Sequence, residues 1–163
     1  RTISERLALW ELRAAPLAPV SCDAEPSSPV RELVSATPAG PTTELVRDVL
    51  FDYFDGVNTG DYERAYRQLS EERRNLISFE RFEEEFRTSF VSDVVVLAIS
   101  EEGDDVLADT TFTSHQAPEF GPEPGQICTY WTNRFWFIPG GEHGLLIAGT
   151  RNTEDSPPFQ ACN

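Results

Sequence analysis

The stretch VLFDYFDGVNTGDYERAYRQL, residues 49–69, carries the two helical patterns that decide the fold. Its first half belongs to an apolar stripe with spacings of three and four residues, which predicts an amphipathic helix of roughly four turns. We expect this helix to start at Thr43, a good N-cap, and to end at Gly60, which tolerates the left-handed conformation. Asp61 is the predicted N-cap of a second, shorter helix, which ends at Ser70.

The sequence that follows predicts one more helix and then a sheet. Ser78 is the expected N-cap of the third helix, because phenylalanines follow it at helical spacing. After Phe90 the pattern changes to that of strands, separated by turns rich in glycine and acidic residues. Strands are predicted at residues 92–100, 106–115, 127–138 and 145–151. The predicted fold class is therefore α+β, with three N-terminal helices packed on an antiparallel sheet.

The 163 residues suit a single domain that follows an arm. Residues 1–42 contain much of the proline and serine, and they are predicted to form an extended N-terminal arm or linker. Residues 43–163 are predicted to form the α+β domain, which ends in a proline-rich tail. Since the sequence contains no Met, we expect it to begin after the natural start of the protein. What precedes Arg1 is then open.

The charge balance excludes two classes of partner. With 28 acidic and 13 basic residues the net charge is −15, whereas nucleic acids and anionic membrane surfaces require clustered positive charge. The sequence contains no apolar run of about 18 residues, so a membrane could be reached only through a segment outside it. Every basic residue is Arg, which indicates a GC-rich genome such as an actinobacterial one; a halophile is the alternative source.

The cysteines predict a disulfide but leave one residue unassigned. Cys162 is next to last in the chain, and pairing it with Cys128 would anchor the tail. Closing a loop of this length stabilises a fold by about 3–4 kcal/mol in the chain-entropy view, and it implies an oxidising, extracytoplasmic compartment. Cys22 is either free, paired between chains, or the partner of Cys162 in place of Cys128.

Metal and cofactor chemistry is not expected. The histidines are His115 and His143, and no Cys-x-x-Cys pair is present, which argues against a zinc site. The acidic turn at residues 101–105 is too short for a calcium loop. His143 is flanked by glycine-rich turn residues and is expected at the surface.

Residues 49–69 resemble the opening of the nuclear-transport-factor-two-like superfamily, also called cystatin-like. The shared elements are the long helix, the polar turn Gly60–Tyr62 and a short helix with Ala at its centre. The strand at residues 126–138 and the strand that follows it are similar to the family's final hairpin. The resemblance implies a strongly curved sheet that wraps around the long helix as a cone. Some relatives are isomerases, dehydratases or cyclases, while others bind ligands or dimerise.

The resemblance also implies a pocket inside the cone. We expect its walls to include Tyr53, Tyr66, Phe86, Phe112, Trp131 and Phe135. Extracytoplasmic relatives often carry a cysteine on the penultimate strand, as Cys128 would be here.

Catalytic candidates in this pocket are few. Tyr53, Asp109 and His115 are weak candidates, and Asp52, Tyr66 and Tyr130 are further residues of suitable type. Asp109 alternates with apolar residues along its strand, which favours a solvated face. His115 ends the same strand without a carboxylate at fixed spacing. Tyr53 fits a core aromatic as well as it fits a proton donor.

The aromatic residues of the third strand divide between its two faces. Trp131, Phe135 and Phe137 share one face, while Tyr130 and Trp136 share the other. The first set can fill the cone. The second would form an apolar patch unless the N-terminal arm or a second subunit covers it.

These patterns favour a non-catalytic binding or accessory domain. Its partner would be a small apolar ligand in the cone or a protein on the sheet, and the domain would be a monomer or a homodimer. The first alternative is a small acid-base enzyme that uses the cone pocket. The second is a dimerisation domain.

Overall fold

The computed structural model describes residues 40–154 and 156–162 and confirms the α+β class. Four helices precede an antiparallel sheet of five strands. The helices are α1 (Pro41–Thr59), α2 (Tyr62–Arg67), α3 (Glu71–Leu76) and α4 (Phe79–Phe86). The strands are β1 (Phe90–Glu102), β2 (Asp105–His115), β3 (Cys128–Pro139), β4 (Leu145–Asn152) and β5 (Phe159–Ala161), with a 3₁₀ turn at Pro118–Phe120. The predicted arm, with Cys22, lies almost wholly outside these residues.

Helix α1 begins two residues before the predicted N-cap. Pro41 occupies its first turn and Gly40 is the N-cap, whereas Thr43 is a buried residue inside the helix. Pro suits this place because its fixed φ matches the helix and its missing N–H has no partner there anyway. The predicted end is confirmed, since Gly60 has φ 78° and its N–H donates to the carbonyl of Val57 at 3.3 Å.

The number of helices differs from the prediction of three. Ser70 does not close the helical region, because its hydroxyl caps α3 by accepting from the N–H of Arg73 at 3.2 Å. The same turn is fastened to the sheet. Ser70 donates its N–H to the carbonyl of Ile147 at 2.8 Å, and Ile147 donates to the carbonyl of Gln68 at 2.8 Å. The short helix is therefore held by tertiary bonds that local spacing does not encode.

The sheet has the order β1-β2-β3-β4, with β5 paired to β3 beyond the end of β4. The fifth strand comes from the proline-rich tail. Its Phe159 lies opposite Trp131, and the structure pairs Cys128 with Cys162 in a disulfide, with 5.4 Å between their Cα atoms. The tail therefore extends the sheet at its edge.

The apolar stripe of α1 packs against the sheet in the hydrophobic core. Val46, Val49 and Leu50 are fully buried, and Phe54 and Val57 nearly so. Burying each such side chain contributes about 1.5–3 kcal/mol. Among the described residues, no helix is long and apolar enough to cross a membrane.

The end of α1 is pinned to the sheet by one buried amide. Asn58 donates from Nδ2 to the carbonyl of Val91 at 2.8 Å and accepts from the N–H of Val91 at 2.7 Å. The side chain thus replaces a strand partner at the start of β1. Two residues earlier, a Cβ at Gly56 would lie 2.9 Å from the backbone nitrogen of Ala65, so only glycine allows α2 to approach α1 this closely.

Candidate functional site

A cavity of about 510 Å³ lies between α1, α4 and the inner face of the sheet. It lies within the roughly 300–1,000 Å³ that is typical of small-molecule sites. The structure brings most of the predicted pocket residues together at this cavity. Its aromatic wall includes Tyr53, Phe86, Phe112, Trp131 and Phe135.

Alternation along the strands places these aromatic rings on one wall. Phe112 of β2 and Trp131 of β3 are register partners, and their rings stack 6.0 Å apart at an angle of 15°. Phe54 of α1 packs 5.0 Å from Phe112, and Phe159 of the tail packs 5.6 Å from Trp131. A helix, two long strands and the tail therefore shape one apolar surface.

Tyr66 was expected in the pocket but does not line this cavity. Its hydroxyl lies 2.7 Å from the carbonyl oxygen of Ile77 and 3.1 Å from that of Arg74, at the end of α3. The ring packs against Phe79 and Phe82 of α4. Tyr66 therefore joins the helices to one another, while the cavity lies on another side of α1.

Tyr53 provides a neutral hydroxyl at the cavity wall. Its ring packs among Phe54, Phe82 and Phe86, and no described residue forms a hydrogen bond with its oxygen. Burial raises the pKa of Tyr53 to about 12, although nearby Arg73 opposes the shift. The phenol consequently stays protonated at neutral pH and can donate a hydrogen bond to a ligand.

The other polar groups of the wall fall into two kinds. The hydroxyl of Ser114 accepts from Trp131 Nε1 at 2.8 Å and donates to Gln116 Oε1 at 2.7 Å, and Gln116 donates in turn to Thr129 Oγ1 at 3.0 Å. These groups satisfy one another. The half-buried amide of Asn133 also lines the cavity but makes no hydrogen bond to any residue in the described part of the chain.

The mouth of the cavity carries charge. Arg73, Glu85 and Glu119 line it and are exposed to solvent. Glu85 is held by Arg81, whose Nε donates to its Oε1 at 3.0 Å. Arg73 forms no ion pair with a carboxylate of residues 40–154 or 156–162.

The remaining catalytic candidates lie away from the cavity. Asp109 forms a two-point ion pair with Arg134, at 2.6 and 3.2 Å, which raises the pKa of Arg134. His115 is half-buried but does not line the cavity, and burial lowers its pKa while Asp93 opposes this. The cavity thus gains neither a buried carboxylate nor an imidazole from these two residues.

A second polar cluster, on the opposite side of α1, escaped the sequence analysis. Asp52 binds His143 Nε2 through Oδ2 at 2.6 Å and accepts from Arg64 through Oδ1 at 3.1 Å. Arg64 also binds Asp55 at 2.6 Å and Asp61 at 3.3 Å. His143 was expected at the surface, but its side chain is only 26% exposed. We call these five residues the Arg64 cluster.

Two residues of this cluster, together with the neighbouring Glu142, have the composition of a metal site. Ligand atoms of Asp52, Glu142 and His143 all lie within 4.8 Å of one another. However, Arg64 and His143 occupy the two carboxylate oxygens of Asp52, and Gln68 donates to Glu142 at 3.0 Å. A cation bound to Asp52 would compete with the guanidinium of Arg64, which lies 3.1 Å from the carboxylate. The arrangement therefore favours a structural role, in which Asp52 holds the β3–β4 turn against α1 through His143.

The outer face of the sheet is covered in part by its own side chains. Trp136 donates from Nε1 to Asp105 at 2.9 Å, and the guanidinium of Arg151 lies 4.6 Å from the centre of its ring. Tyr130 on the same face remains 47% exposed. The expected cover by the arm concerns residues that the structure does not describe.

Comparisons of the chain with protein-family models, with curated proteins and with solved structures find no significant match.

Proposed function

We propose that this protein is a non-catalytic, extracytoplasmic binding domain that takes a small apolar ligand into the cavity beside α1. One observation carries the proposal. The cavity has mostly apolar walls, yet the hydroxyl of Tyr53 and the amide of Asn133 have no hydrogen-bond partner within the described ranges. Both groups face the cavity and are free to pair with a ligand, and a few polar groups placed in an apolar pocket are what orients a bound small molecule.

The resemblance to the nuclear-transport-factor-two-like superfamily is part of the proposal. In that fold the sheet curves around the long helix as a cone. Two irregularities support curvature in β1, where the pairing with β2 shifts after Ser92 and again after Val96. Asp93, between them, has a left-handed φ of 54°. Bulges of this kind bend a strand and increase its twist.

A binding role is preferred to an acid-base enzyme for a chemical reason. Acid-base catalysis in a cavity needs a pair of titratable groups with opposed tasks within reach of one substrate. Among the described residues that line the cavity, the inner groups are a phenol and amides, and the carboxylates of Glu85 and Glu119 stand exposed at the mouth. A hydrogen-bonding and apolar surface of this kind suits recognition.

The compartment is proposed from the disulfide. The Cys128–Cys162 bond fixes the tail strand against the cavity wall. Such bonds persist in oxidising surroundings, which favours an extracytoplasmic location.

Filling the cavity tests the proposal. Gly149 lines the cavity on β4, and a Cβ added there would meet no atom within 4 Å. We expect Gly149→Val to abolish binding of the neutral probe 2-naphthylmethanol, measured by isothermal titration calorimetry, while the protein stays folded. The matched control is Ala148→Val, at the preceding residue of the same strand, which does not line the cavity.

Two results would contradict the binding role. One is the lack of measurable binding by the wild-type protein to 2-naphthylmethanol and to its charged analogues. The other is equal binding by the wild type and by Gly149→Val, which would place the probe outside the cavity.

A further inference from the structure

We propose that the ligand of the cavity is an amphipathic anion, an apolar body that carries one carboxylate, with the carboxylate held by Arg73 and Tyr53. This inference rests on the proposed binding function and specifies its ligand class. It concerns the end of the cavity where α3 meets α1.

The first argument is the charge of Arg73. In a chain with 28 acidic and 13 basic residues, carboxylate partners are abundant. Arg64, Arg81 and Arg134 all have such partners. Arg73 has none among the carboxylates of the described residues, although it lines the cavity. A guanidinium can bind a carboxylate through two parallel N–H groups, which gives both strength and orientation.

The second argument is the position of the phenol. Arg73 and Tyr53 both line the cavity, and the charge of Arg73 acts on the Tyr53 hydroxyl. A neutral O–H and a guanidinium both donate, and together they match the acceptor-only oxygens of a carboxylate. The aromatic wall formed by Phe112 and Trp131 then receives the apolar body.

The carboxylates of Glu85 and Glu119 at the mouth repel a bound anion less strongly than two full negative charges would. Glu85 is paired with Arg81 at 3.0 Å. At the Tyr53 hydroxyl, the influence of Arg73 exceeds that of Glu85. Glu119 is exposed, so that solvent screens it.

Three probes with one body separate the possibilities. They are 2-naphthoate, 2-naphthylmethanol and protonated 2-naphthylmethylamine, each titrated calorimetrically into the wild-type protein. We expect naphthoate to bind about tenfold more tightly than the alcohol at low ionic strength, and the ammonium probe to bind more weakly than both. In Arg73→Gln the preference for naphthoate should fall to about twofold or less. In Arg67→Gln, which removes an exposed arginine that does not line the cavity, it should be unchanged.

A second variant tests the other proposed donor, Tyr53, so that the inference does not depend on Arg73 alone. Tyr53→Phe should weaken naphthoate binding several-fold while the wall stays aromatic. Equal affinities of the wild type for naphthoate and the alcohol would overturn the anion inference and leave the binding function standing. Tighter binding of the ammonium probe would also overturn it and would point to the carboxylates at the mouth. If none of the three probes binds, the binding function fails and the inference fails with it.

Discussion

Asp52 and Tyr53 are adjacent residues of α1, yet they lie in environments of opposite kind. Both oxygens of Asp52 are engaged, one by Arg64 at 3.1 Å and the other by His143 at 2.6 Å. Tyr53 points about 100° away around the helix, where its hydroxyl meets a cavity and no partner among the described residues. One helix therefore separates a saturated polar cluster from an unsaturated apolar site.

The difference indicates a division of roles. Groups that satisfy one another contribute to the stability of the fold and have nothing left to offer a ligand. Groups without partners contribute nothing to stability and are available for binding. Variants in the Arg64 cluster should therefore lower stability without changing the affinity for a ligand. Variants in the cavity should change the affinity and leave stability nearly unchanged.

The largest expected effect concerns the disulfide, which holds the tail against the cavity wall. Replacing both Cys128 and Cys162 by Ser should lower the free energy of unfolding by about 3–4 kcal/mol, because the unfolded chain loses its cross-link. Probe affinity should fall as well, since Phe159 packs on Trp131. Urea unfolding under non-reducing conditions measures the first effect. Cys22→Ser is the control, and an unchanged unfolding midpoint in the double variant would refute the role of the bond.

The second-largest expected effect concerns the Arg64 cluster. Arg64→Met removes the partner of Asp52, Asp55 and Asp61, while its own side chain is only 22% exposed. We expect a loss of about 2–3 kcal/mol in urea unfolding, and no change in naphthoate affinity. Arg81→Met, at a side chain 71% exposed, should cost no more than about 0.5 kcal/mol. Equal losses in the two variants would show that the cluster contributes no more than a surface ion pair.

Much of the fold was predictable because its signals are local. The stripe of α1, the left-handed Gly60 and the alternation of β2 and β3 each follow from spacing within one element. Helix α3 and strand β5 were missed because their bonds are tertiary. Ser70 is fixed by Ile147 of β4, and Phe159 by its register opposite Trp131.

The candidate site was harder to predict than the fold, because its contacts join residues that are far apart in the sequence. The cavity aromatics follow from strand alternation, but Asp52 and His143 are 91 residues apart and no spacing rule joins them. Tyr66 lies on the predicted apolar face of α2, yet the carbonyl of Ile77 determines where its hydroxyl points. Asn133 has the appearance of a solvated strand residue in the sequence, yet alternation places it between Trp131 and Phe135 on the face that lines the cavity.

A smaller effect compares two tyrosines directly. Tyr66→Phe removes a hydroxyl that bonds the carbonyls at the end of α3, so we expect a loss of about 1–1.5 kcal/mol at neutral pH. Tyr53→Phe removes a hydroxyl without a partner among the described residues, and stability should change by less than about 0.5 kcal/mol. Urea unfolding measures both. A loss in Tyr53→Phe as large as that in Tyr66→Phe would mean that the Tyr53 hydroxyl is satisfied inside the protein.

The smallest effect is the pH dependence that Tyr53 confers. Its pKa is raised from 10.0 to about 12 in the folded protein, because burial disfavours the phenolate. Above pH 10 the unfolded chain loses this proton more readily than the folded one, so the contribution of Tyr53 to stability is complete below pH 10 and declines as the pH rises toward 12. Relative to the Tyr53→Phe variant, wild-type stability should fall by about 0.8 kcal/mol between pH 8 and pH 10.5. Urea unfolding at the two pH values measures this difference, and Tyr130→Phe, which changes an exposed phenol, is the control. If the wild type and Tyr53→Phe decline in parallel, the phenol of Tyr53 lies in a solvated site, and the contrast between the two sides of α1 loses its chemical basis.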